Sequence, residues 1–101
     1  SFSRAYNGRG NASLTKGLLD LALLDYTEAV RLDTLDTVPL LQRGLLLIEL
    51  KKYTEAENDF SKVLRIESGS FNGYIGRARA RYLLQNFSGS LDDANRAAQL
   101  D

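Results

Sequence analysis

The chain has 101 residues, 44% hydrophobic and 26% charged, which is the balance of one small globular domain or of a slice of a larger protein. Thirteen basic residues match thirteen acidic ones, so there is no basic footprint for nucleic acid. No apolar run reaches the ~18 residues of a membrane span; Leu45 to Ile48 is as long as any and far too short. Cysteine and histidine are absent, which excludes disulfides, thiolate and imidazole metal sites and the commonest general base. No cofactor and no metal site is expected, nor catalysis by this chain.

Six helices are expected, with polar breaks between them. The first, near 3–15, carries Tyr6 and Gly10 and breaks at Lys16-Gly17. The second, near 19–32, carries Ala22 and Tyr26 and closes on Ala29-Val30-Arg31-Leu32-Asp33. The third, near 38–50, places Pro39 just inside an Asp36 or Thr37 cap and stops at Lys51-Lys52. The fourth, near 54–66, opens on Thr54-Glu55-Ala56-Glu57, which has the form of a capping box. Its Ala56, Phe60, Val63 and Leu64 make one apolar stripe at helical spacing. The fifth, near 71–84, carries Tyr74 and Ala78 and breaks at Gln85-Asn86; the sixth, near 88–100, carries Ser90 and Ala94.

These elements repeat with a single period of thirty-four residues. Tyr6, Leu40 and Tyr74 share a register, as do Gly10, Gly44 and Ala78, then Ala22, Ala56 and Ser90, then Tyr26, Phe60 and Ala94. Small residues recur in both helices of each pair, which lets the backbones approach, and an aromatic one turn later fills the space beside them. The units run about 3–36, 37–70 and 71–101.

Period, pairing and small-residue placement together resemble the tetratricopeptide repeat, whose pattern runs aromatic, Leu-Gly, Ala-x-x-x-Phe and a closing proline. The residues that carry the resemblance are Tyr6, Gly10, Ala22 and Tyr26, then Leu40, Gly44, Ala56 and Phe60, then more weakly Tyr74, Ala78, Ser90 and Ala94. Arginine stands in place of the usual leucine, and Thr34 or Ser68 in place of the proline. The resemblance implies an all-α fold: three antiparallel helix pairs stacked as a right-handed superhelix. It also implies a non-catalytic scaffold whose concave face holds an extended or helical segment of a partner protein.

Two registers are identical in all three units, Arg9, Arg43 and Arg77 and Asp25, Asp59 and Asp93. Because the two charges recur together, they are read as a structural ladder of ion pairs, within a unit or to the unit before, in preference to a ligand-binding arginine row. Arg81 is read as a partly solvated packing residue. By analogy with the family, the groove is lined by Asn7, Asn11 and Leu14 from the first unit and Leu41, Gln42, Leu45 and Ile48 from the second. Ile75, Arg79 and Tyr82 come from the third. Some family members grip the acidic C-terminal tails of heat-shock chaperones through a clamp of lysines, an arginine and asparagines. Here Asn11 matches and Gln42 nearly matches, but Asn7, Asn72 and Gly76 replace the cations, so a chaperone-tail receptor is not expected.

Leu18, Leu21, Leu23 and Leu24 stand where the second unit has Lys52, Glu55, Glu57 and Asn58. Equivalent positions predict an outer, apolar patch, covered by a second copy, a neighbouring domain or the N-terminal segment. Homotypic or intramolecular assembly is therefore the alternative to groove binding, and a regulatory segment of an enzyme a distant third. The absence of methionine points to a piece of a longer protein in which further repeats or a capping helix follow. A cytoplasmic location is expected; neither nucleic acid nor a membrane is an expected partner.

Overall fold

The computed structural model describes residues 1–100, with Asp101 outside the described residues. Among the described residues the elements are helices alone: α1 (Phe2–Thr15), α2 (Leu19–Leu32), α3 (Thr37–Glu49), α4 (Tyr53–Ile66), α5 (Phe71–Leu83) and α6 (Phe87–Leu100). Each predicted boundary lies within two residues of the observed one. No described helix is long and apolar enough to cross a membrane.

The ends of the helices follow local chemistry. Ser1 Oγ accepts from the Arg4 amide, Asp36 from that of Val38, and Ser70 Oγ from that of Gly73, satisfying amide groups at the starts of α1, α3 and α5. The turns inside each pair share one device: a residue at positive φ, Gly17 (77°), Lys51 (62°) and Gln85 (65°), thirty-four residues apart. The next amide then reaches back to Ser13, Leu47 or Arg81, and the carbonyls left open by the helix end are satisfied. Only the first turn uses glycine; Lys51 and Gln85 hold the left-handed conformation at a cost of ~1–2 kcal/mol each.

That turn geometry overturns the capping box. With Lys51 left-handed, Lys52 is the cap of α4 and has no side-chain hydrogen bond, and the first helical bond runs from Ala56 N to the Lys52 carbonyl. Thr54 therefore lies inside the first turn, two positions too late to cap it.

Each pair is antiparallel. Ser3 at the start of α1 donates to the carbonyl of Ala29 near the end of α2, and Ser90 Oγ near the start of α6 donates to Ala78. Successive pairs then stack, α2 on α3 and α4 on α5, with α3 also touching α5. The core sits at these seams. Tyr26 and Ala22 pack on Leu46, while Phe60 and Ala56 pack with Leu47, Ile48 and Ala80.

The glycines set the spacing. A Cβ at Gly10 would lie 2.7 Å from the Tyr26 ring, one at Gly44 2.7 Å from that of Phe60, and one at Gly76 only 2.3 Å from the same ring. Phe60 is thus gripped by a glycine of its own unit and a glycine of the next. In the third unit both partners change: Ala78 replaces the glycine and Ala94 the aromatic. The sixth helix accordingly buries only Asp93 and Ala97, and leaves Phe87 and Leu91 exposed.

Candidate functional site

The surface where α3 faces α5 holds a hollow of about 270 Å³ lined by Leu41, Gln42 and Leu45 from α3 and by Asn72, Ile75, Gly76 and Arg79 from α5. Helical spacing places each set on one face. Phe60 of α4 lies beneath the hollow, its buried ring packed against Gly44 and Gly76. Leucine, isoleucine and phenylalanine make the walls apolar, and two carboxamides and one guanidinium border them. A second hollow, of about 300 Å³ between α2, α3 and α4, is more polar, with Glu55, Asn58, Asp59 and Lys62 among its residues.

Of the predicted groove residues, Leu41, Gln42, Leu45, Ile75 and Arg79 come together here. Ile48 does not: it is buried in the core beside Phe60, because it follows Gly44 by one turn and shares the face turned towards α4. Leu14, one turn after Gly10, likewise packs against the Tyr26 cluster. Tyr82 is exposed and meets Phe87 edge-on with centroids 5.4 Å apart, away from the hollow. Asn11 is tethered by its carbonyl oxygen, which accepts from the Tyr26 hydroxyl. The same contact with Asn11 is polar at its outer end, but burial, and after it the neighbouring Asp25, pushes the Tyr26 phenol above its ordinary value. Asn7 has a buried side-chain oxygen without a partner among the described residues. Phe60 was not legible as a lining residue; the signal was Gly76 standing where the second unit has Gln42.

The repeated charges form forks inside each unit. Arg9 Nη2 lies 2.7 Å from Asp25, Arg43 holds Asp59 through Nε and Nη2 at 2.8 Å each, and Arg77 holds Asp93 likewise at 2.9 Å. The aspartates are buried. Hydrogen bonding to these carboxylates keeps all three guanidinium groups above the usual arginine value. The remaining nitrogen of Arg77 reaches Ser61 of the preceding unit at 3.3 Å, and that of Arg43 points at Thr27 in the same register. Arg9 has no described unit before it, and its side chain is 62% exposed against 16% and 20% for the others. The forks leave these arginines facing their aspartates rather than a ligand.

Arg81 is more than a packing residue. It donates to Glu57 of the preceding unit at 2.8 Å and to Asp93 of its own at 3.0 Å. Its place in the first seam is taken by Leu47, and the place of Glu57 by Leu23, so one seam carries an apolar contact where the next carries an ion pair. This corrects the expected leucine patch. Leu18, Leu21 and Leu24 are exposed, but Leu23 is half-buried against both core clusters. Glu57 is polar because Arg81 faces it, not because the position faces water.

The tetratricopeptide repeat model matches residues 3–34 and 39–69. The chain belongs to the tetratricopeptide repeat family. The third repeat of this tetratricopeptide stack is seen in the structure as α5 and α6, with its own ion-pair fork. The chain is 33% identical to Tetratricopeptide repeat protein 16 of Homo sapiens over 95 residues, 87% of this chain and 11% of that protein. It is 43% identical to human DnaJ homolog subfamily C member 3 over 61 residues, 60% of this chain and 12% of that protein. It therefore spans about one tenth of these relatives' length. Among solved structures, the first tetratricopeptide domain of Spaghetti (RPAP3), bound to the HSP90 peptide SRMEEVD, superposes with a TM-score of 0.95 at 25% identity, covering 99% of this chain and 79% of that one. The tetratricopeptide domain of Arabidopsis OM64 superposes at 0.92 with 26% identity, covering 98% and 82%.

Proposed function

We propose that this tetratricopeptide chain is a non-catalytic scaffold that holds a segment of a partner protein in the hollow between α3 and α5. The observation that carries this is the hollow itself: exposed Leu45 and Ile75 and half-buried Leu41 around a phenylalanine floor, bordered by hydrogen-bonding groups. The peptide held by the similar Spaghetti (RPAP3) domain supports a peptide as the class of occupant. Burying one aliphatic partner side chain contributes about 1.5–3 kcal/mol. A micromolar Kd needs about 8 kcal/mol, so hydrogen bonds from Gln42, Asn72 and Arg79 to the partner are part of the reading.

The chaperone-tail alternative is disfavoured on the same surface. A side chain at Gly76 would run into Phe60, so the clamp cation that belongs there has no room while the floor keeps its ring. A second reading, assembly through the outer surface, rests on the exposure of Leu18, Leu21 and Leu24.

Selection of displayed peptides on the chain separates the two. Wild type is expected to enrich peptides that Leu45→Glu loses, at least tenfold in Kd, with the helical circular dichroism of the variant unchanged. Enrichment unaffected by Leu45→Glu but abolished by Leu21→Glu/Leu24→Glu would replace groove binding by the outer surface.

A further inference from the structure

Resting on the groove reading, we infer that the occupant is an extended, internal segment in which an aliphatic side chain and a carboxylate stand two residues apart. The aliphatic group fits the walls of Leu41, Leu45 and Ile75 above the buried Phe60 ring. The carboxylate is assigned by Arg79. Arg9, Arg43, Arg77 and Arg81 are all held by acidic side chains, whereas Arg79, exposed at the rim of the same hollow, enters no ion pair among the described residues. A guanidinium at that edge takes one carboxylate in bidentate fashion.

The spacing follows from two periodicities. Arg79 lies one turn beyond Ile75 on α5, about 6 Å along the axis. An extended segment repeats a face every second residue, about 6.6 Å apart, so apolar-x-acidic, in either direction, places both groups. Gln42 and Asn72 flank the walls with carboxamides, which an extended segment can engage through unpaired main-chain groups and a helix cannot, its own being already bonded. A terminal carboxylate next to an acidic side chain would bring two negative charges to one cation. An internal segment avoids this.

Twelve-residue Gly/Ser peptides, blocked at both ends and carrying Leu-x-Glu, Glu-x-Leu, Leu-x-Gln or Leu-x-Lys, test this by fluorescence polarisation against the 101-residue chain and its Arg79→Glu and Leu45→Glu variants. The glutamate peptides are expected to bind about tenfold more tightly than the glutamine one. Arg79→Glu should invert the order in favour of lysine, and unblocking the C-terminus should not strengthen binding. Equal affinity for all four peptides, an order unmoved by Arg79→Glu, or a glutamate preference that requires a free C-terminus each overturns the inference while leaving the groove in place. Failure of every leucine peptide to bind wild type above the level of Leu45→Glu overturns both.

Discussion

Phe60→Ala is expected to lower the unfolding free energy by about 3–5 kcal/mol, the cost of emptying a fully buried aromatic site. The figure belongs at the upper end because the site cannot collapse easily. The ring is inaccessible to solvent and fills a space bounded by backbone at Gly44 and Gly76, which have no side chains to relax into the void. A domain of this size has ~5–15 kcal/mol of stability to lose. The urea midpoint should therefore fall sharply, while Phe87→Ala, at an aromatic that is 57% exposed, should move it by less than about 1 kcal/mol. Similar midpoints for the two variants would contradict the seam described for the second and third units.

The second large effect falls on the ladder, where the three aspartates should not be equivalent. Asp93→Ala leaves two guanidinium groups, Arg77 and Arg81, without a shared carboxylate when their side chains are only 20% and 24% exposed. Removing one partner of such a cluster is expected to cost about 2–4 kcal/mol, a little below the usual figure for wholly buried pairs. Asp59→Ala strands one arginine, and Asp25→Ala strands Arg9, which is already largely in water. Urea midpoints should fall in the order Asp93, Asp59, Asp25, largest loss first. Equal losses would mean that the buried carboxylates matter only to the helices that carry them.

Much of this was open to inspection of the residues. The period, the six helices and the partnership of arginine with aspartate follow from registers that recur at a fixed interval, because each unit solves the same packing problem. Three places in the fold depart from sequence-based expectation, each for its own physical reason. Glu57 suggested a solvated position and hence an outer Leu23, whereas both lie at a seam whose facing residue changes in step, Leu47 with Leu23 and Arg81 with Glu57. Covariation at that spacing was the available clue. Ile48 was assigned to the groove by analogy although its offset from Gly44 aligned it with the Phe60 face. Thr54 looked like a cap because the left-handed residue that starts α4 earlier is a lysine, which gives no hint of positive φ. The groove was legible in its centre, at Leu41, Leu45, Ile75 and Arg79, where family register and helical face agree.

Amide chemical-shift mapping of the isotopically labelled chain, titrated with the blocked Leu-x-Glu peptide, tests most directly whether the partner binds in the α3–α5 hollow. The largest shifts are expected at Leu41, Gln42, Leu45, Asn72, Ile75, Gly76 and Arg79, with little change from Leu18 to Leu24. Shifts centred on Leu18, Leu21 and Leu24, or on the exposed face of α6, would place binding elsewhere and contradict the account.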